Sequence, residues 1–186
     1  MNPLDVWYNI KMNVKKQIFK GTLYAVVAGC MFGISGIFGQ LFFRDYHGSP
    51  LWITSTRLTI AGIILLAMSF SRDHKRFFDV WKSKKNMPTL FLYVFGGVFS
   101  VQYFYYVAIQ LSNSATATIL QYTAPVFIML YLLIFQRQVP KPKSVLFVIL
   151  AMIGVFLLIT DGNIKHLSIS PLALVTGLIA AVAVVI

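Results

Sequence analysis

Long apolar stretches alternate with short polar ones along the chain: Thr22–Phe43, Leu51–Phe70, Thr89–Ile109, Ala115–Phe135 and Ser144–Thr160, with a sixth beginning at Pro171. Each is apolar nearly all the way round a helix rather than along one stripe. A soluble domain of buried helices would show polar faces at helical period, so the pattern predicts helices with apolar surroundings on every side. At 1.5 Å per residue, about 20 residues cross a hydrocarbon core roughly 30 Å thick. Four runs therefore span it and the fifth is marginal. Arg57 is the one charged residue inside the five. The predicted fold is an all-α integral membrane protein, five transmembrane helices followed by the start of a sixth.

Composition agrees, with 58% hydrophobic and 11% charged residues and a mean hydropathy of +0.77, where soluble domains carry about 25% charged residues. The net charge of +11 would suit nucleic acid, but the position of the charges points elsewhere. Lys11, Lys15, Lys16 and Lys20 precede the first span; Arg72, Lys75, Arg76, Lys82, Lys84 and Lys85 lie between the second and third; Arg137, Lys141 and Lys143 lie between the fourth and fifth. The opposite side holds Arg44 and Lys165. That asymmetry predicts a multi-pass protein of the cell membrane with its N-terminus in the cytoplasm. Membrane lipids, through their anionic headgroups, are then the partners of the basic loops, and no nucleic acid is expected.

Residues 1–21 read as a cytoplasmic N-terminal segment. Met12-Asn13-Val14-Lys15-Lys16 resembles a natural start, which leaves the first eleven residues as either a mis-called start or an interfacial stretch anchored by Trp7 and Tyr8. Val27-Ala28-Gly29-Cys30 has the look of a lipoprotein signal, but the apolar run continues to Phe43, where a lipoprotein would turn polar. A lone cysteine also excludes an intrachain disulfide and any multi-cysteine metal site. The stretch from Pro171 to Ile186 supplies only about 24 Å of helix. The expectation is a reading frame that continues through further spans.

Small and polar residues recur at helical spacing inside the spans. Ala25, Gly29, Gly33, Gly36 and Gln40 share one face of the first, a strip of near-bare backbone suited to helix packing, with an amide at its outer end. In the second, Arg57 shares a face with Thr54 and Ala61. A guanidinium at that depth costs about 2.5–3.5 kcal/mol at mid-membrane. It either snorkels outward, makes a structural hydrogen bond, or lines a polar cavity where its planar donors suit a carboxylate or phosphate. The third span places Gln102, Tyr106 and Gln110 in one stripe beside Tyr103 and Tyr105. The fourth repeats the spacing with Ala117, Gln121 and Pro125. Proline cannot donate to the carbonyl of residue 121, so Pro125 marks a kink that is either packed or a hinge beside a binding region.

The chain has no phosphate-cradling loop, no zinc spacing and no nucleophile with its base, and His47, His74 and His166 fall outside the spans. No enzyme, cofactor or metal is expected. The spans also hold no Asp or Glu, so they lack the carboxylate that a small multidrug pump needs in its first helix.

Phe32-Gly33-Ile34-Ser35-Gly36, the Arg57-Leu58 step with Ala61-Gly62, and above all Ala108-Ile109 through Ser114-Ala115 to Pro125-Val126-Phe127 resemble the EamA domain of the drug/metabolite transporter superfamily. The likeness runs on through Gly154-Val155-Phe156-Leu157-Leu158 and covers about residues 22–162. Where many members carry a Gly-Glu-Arg type segment after the fourth span, this chain has Gln136-Arg137-Gln138. The resemblance implies a ten-helix transporter of two inverted five-helix repeats, with alternating access to a site near the midplane. Residues 22–162 would be the first repeat and 163–186 an external loop and the start of the second. The implied site-facing residues are Arg57, Gln102, Tyr106 and Gln121, and the implied substrate is a small polar metabolite, amino acid, amine or drug-like compound. Transport would need the missing second repeat or a homo-oligomer. The rival reading is a non-transporting membrane protein or an inert fragment of a disrupted transporter gene.

Overall fold

In the computed structural model, residues 3–72, 87–138, 142–160 and 170–185 are described. The basic loop at 73–86, Lys141, and the segment 161–169 with the expected domain boundary after residue 162 lie outside them. The helices are α1 (Pro3–Tyr46), α2 (Pro50–Arg72), α3 (Met87–Phe91) leading into a wider π-helical segment (Leu92–Phe99), α4 (Ser100–Leu111), α5 (Ser114–Gln121), α6 (Ala124–Ile134), α7 (Pro142–Thr160) and α8 (Pro171–Ala183). No strand occurs among the described residues. Gln17–Tyr46, Pro50–Ser71, Met87–Leu111 and Ser114–Ile134 are each long and apolar enough to cross a membrane, and two shorter apolar helices follow them. The protein is an all-α, multi-pass membrane protein.

Local chemistry explains the helix boundaries. α1 begins at Pro3, far ahead of the first apolar run, because no proline follows until Pro50 and the intervening Lys and Gln are good helix formers. Polarity at its start marks where the apolar surroundings begin, not where the helix does. Asn113 caps α5, its side chain accepting from Thr116 N–H at 2.8 Å, and Ser170 caps α8 from Ala173 N–H at 3.2 Å. The π segment contains Gly96 and Gly97. At its end the Ser100 hydroxyl donates to the Phe95 carbonyl, five residues back, at 2.7 Å. An aromatic ladder climbs this span, with Phe91 on Phe95 at 5.9 Å, Phe95 on Phe99 at 6.4 Å and Phe99 on Tyr103 at 5.9 Å between ring centroids.

Two compact units divide the chain, Met1–Phe38 and Gly39–Ile186. In the first, a Cβ at Gly29 or Gly33 would meet nothing within 4 Å, Gly36 is buried and Cys30 is exposed. In the second, the core lies where α4, α5 and α8 meet. Tyr105, Tyr106, Ile109 and Leu120 are its largest fully buried side chains. α8 offers this core a face of small residues, Ala173, Thr176, Gly177, Ala180 and Ala181, all buried. Such a face lets backbones approach closely where lipid supplies no hydrophobic drive between helices. Most of the large apolar side chains on α2 are exposed, as suits a surface facing hydrocarbon.

Candidate functional site

Tyr106 joins α4 to α1 and α2. It sits on α4 with 1% of its surface exposed, beside the Gly39 backbone of α1, where a Cβ would lie 2.6 Å from its ring. Phe43, one turn further along α1, meets the ring edge-on at 6.1 Å. From α2, Arg57 Nη1 donates to Tyr106 Oη at 2.8 Å, and the guanidinium carbon lies 5.9 Å from the ring centroid. The contact is a charge-assisted hydrogen bond, roughly twice as strong as one between neutral groups. Arg57 is half-buried. Its side chain reaches across to α4 through this hydrogen bond.

One turn earlier on the same face of α2, Thr54 is fully buried and its hydroxyl has no hydrogen-bond partner. Several other hydroxyls in helices or at their ends are satisfied locally. Thr22, Ser71, Ser112, Thr118 and Thr176 each donate to the carbonyl four residues back, at 2.7–2.9 Å. Thr54 does not, although a buried polar group left unpaired costs about 1–3 kcal/mol.

The remaining polar residues divide into structural and accessible ones. Tyr105 bonds Thr118 across α4 and α5 at 3.0 Å. Gln40 accepts from Ser114 N–H at 2.8 Å and so satisfies one of the orphan donors at the start of α5. The stripe of Gln102, Tyr106 and Gln110 splits by depth: Tyr106 is buried, Gln102 half-buried and Gln110 exposed, with Gln110 Nε2 donating to the Gly48 carbonyl at 3.4 Å. Gln121 is half-buried. Among the described residues no hydrogen bond joins Gln102 or Gln121 to the Arg57–Tyr106 pair. Sequence reasoning placed Thr54 beside Arg57 but did not single it out, and it passed over Gly39 and Phe43. The close backbone approach sits at Gly39, off the face of Gly29 and Gly33. Nothing in the local pattern separates that glycine from its neighbours.

The fourth span is interrupted at Tyr122 and Thr123, with Pro125 in the first turn of α6. Leu120 is the carbonyl the break serves: it accepts from Thr123 N–H at 3.1 Å and from the Thr123 hydroxyl at 2.7 Å. The break is therefore stitched by the Thr123 side chain.

Comparison with known proteins follows the same outline. Residues 19–160 match the EamA-like transporter family. The chain is 34% identical over 164 residues to the uncharacterized inner membrane transporter YicL of Salmonella typhimurium (strain LT2), an alignment that covers 88% of this chain and 54% of that protein. It thus spans about half the length of the curated relative it matches. No solved structure matches.

Proposed function

The chain belongs to the EamA-like transporter family, and from that premise we propose that it takes part in secondary transport of a small polar metabolite across the cytoplasmic membrane. Arg57 and Tyr106 are the central binding residues of this reading, with Gln102 and Gln121 flanking them and Pro125 as a hinge. The observation that carries it is a half-buried arginine inside a span, held to a neighbouring helix by a neutral phenol. Intramembrane charges are costly and mark substrate paths by default. Because the alignment covers 54% of the relative, the working unit of this proposal contains a second repeat or a second copy of the chain. Counterflow into proteoliposomes with a panel of labelled amino acids, organic acids and amines tests it. Exchange of at least one compound above protein-free vesicles is the expected result, and none with correctly inserted protein would leave a non-transporting membrane protein.

Orientation is part of the same proposal, supported by the thirteen basic residues on one side against two on the other. In a Cys30→Ser background, cysteines placed at Ser83 and Ser144 are expected to react only with a membrane-permeant thiol reagent. One placed at Ser112 is expected to react with an impermeant reagent added outside intact cells. Labelling of the Ser83 or Ser144 site from outside would reverse the topology.

A further inference from the structure

We infer that the group Arg57 receives is an oxyanion of the transported molecule, a carboxylate or a phosphate, bound together with the Thr54 hydroxyl. The inference rests on the transport reading above and narrows its substrate class. It begins from charge. All five acidic residues, Asp5, Asp45, Asp73, Asp79 and Asp161, fall outside the apolar spans, and Asp45 is paired with Arg44 at 2.8 Å. The apolar spans therefore offer Arg57 no carboxylate. Its hydrogen-bond partner is the neutral Tyr106 hydroxyl through Nη1, and among the described residues no other acceptor meets the guanidinium. A planar fork of five N–H donors with one of them used is suited to a bidentate oxyanion. The fixed positive charge correspondingly repels simple amines.

Thr54 supplies the second observation. Its hydroxyl lies one turn from Arg57 on the same helix face, fully buried and unpartnered, while five other hydroxyls in helices or at a helix end bond their own backbone. A buried hydroxyl left unpaired in this arrangement is available to a ligand in another. Parting α2 from α4, as alternating access requires, would present that hydroxyl and the guanidinium together. A lipid phosphate offers the same chemistry as a soluble anion. Arg57 is the eighth residue of α2, about 10 Å along from its start, and is turned toward Tyr106, which favours a soluble molecule entering between the helices.

The test uses the purified full chain in a non-ionic detergent. Thermal midpoints are measured with paired probes at matched ionic strength: lactate against lactamide, N-acetylphenylalanine against its amide, glycerol 3-phosphate against glycerol, and phosphatidylglycerol micelles as a separate arm. At least one soluble acid is expected to raise the midpoint while its uncharged partner does not. Arg57→Gln is expected to weaken that acid's apparent affinity about tenfold or more, Arg57→Lys to retain part of it, and Arg44→Gln to leave it unchanged. Thr54→Val is expected to lower acid affinity several-fold while raising the midpoint without ligand, a combination that a structural hydroxyl would not give. Equal effects of acids and uncharged partners, wild-type affinity in Arg57→Gln, or no stabilisation by any acid would overturn the inference. Stabilisation by phosphatidylglycerol alone would assign the site to lipid and overturn it as well. Counterflow of a neutral or cationic compound, unaltered by Arg57→Gln, would sink the oxyanion while leaving transport intact; absence of all counterflow would sink transport first.

Discussion

The Gly177→Val variant is expected to lose about 1–3 kcal/mol of stability through overpacking, seen as an earlier unfolding midpoint in denaturant titration of detergent-solubilised protein. A Cβ at Gly177 would lie 2.6 Å from Leu120 Cδ1, 2.7 Å from Leu120 Cβ and 3.2 Å from Leu120 Cγ. Rotating the leucine does not relieve this, because its own Cβ is among the clashing atoms and the side chain is 1% exposed. α8 must instead move off α5, which loosens the close contacts of Ala173, Ala180 and Ala181 along the same buried face. Gly177→Ala meets the same clash but gains about 0.8–1 kcal/mol of helix propensity, so its net loss is expected to be smaller. Valine has little of that gain, being branched at Cβ. Gly29→Val is the control, since nothing lies within 4 Å of a Cβ there. Wild-type stability in Gly177→Val would mean that α8 is not seated on α5 through this face.

That contrast between two glycines shows what the sequence could and could not reveal. The spans themselves were legible, since an apolar run of about 20 residues leaves a helix as the only way to satisfy its backbone in lipid. Their packing partners were not. A helix apolar all the way round carries no stripe to say which side meets protein, so the glycine series on α1 and the small-residue face on α8 look alike in sequence. The first gives Gly29 and Gly33 open space, and the second gives Gly177 a leucine. The π segment was hidden for a related reason: Gly96 and Gly97 permit a widened turn without requiring one. At the site, Arg57 stood out by charge. Tyr106 was one of three tyrosines within four residues, and only the placement of α2 against α4 selects it.

The Arg57–Tyr106 pair is expected to behave as one energetic unit. Tyr106→Phe keeps the ring but removes the oxygen that accepts from Nη1 at 2.8 Å. A hydrogen bond to a charged group contributes about 1.5–3 kcal/mol, and the loss is larger when the abandoned partner stays out of water. Arg57→Ala removes the charge and the hydrogen bond it makes to Tyr106, which is 1% exposed. Each single variant therefore breaks the same bond, and the double variant breaks it once. A double-mutant cycle on unfolding free energy is expected to give a coupling of about 0.5–3 kcal/mol, the range for residues in direct contact. Gln121→Ala, which no hydrogen bond links to the pair, is expected to add to Arg57→Ala within about 0.3–0.5 kcal/mol. Should Arg57→Ala and Tyr106→Phe prove equally additive, the guanidinium is not bound to the phenol in the membrane, and the positioning of Arg57 toward α4 has to be abandoned along with it.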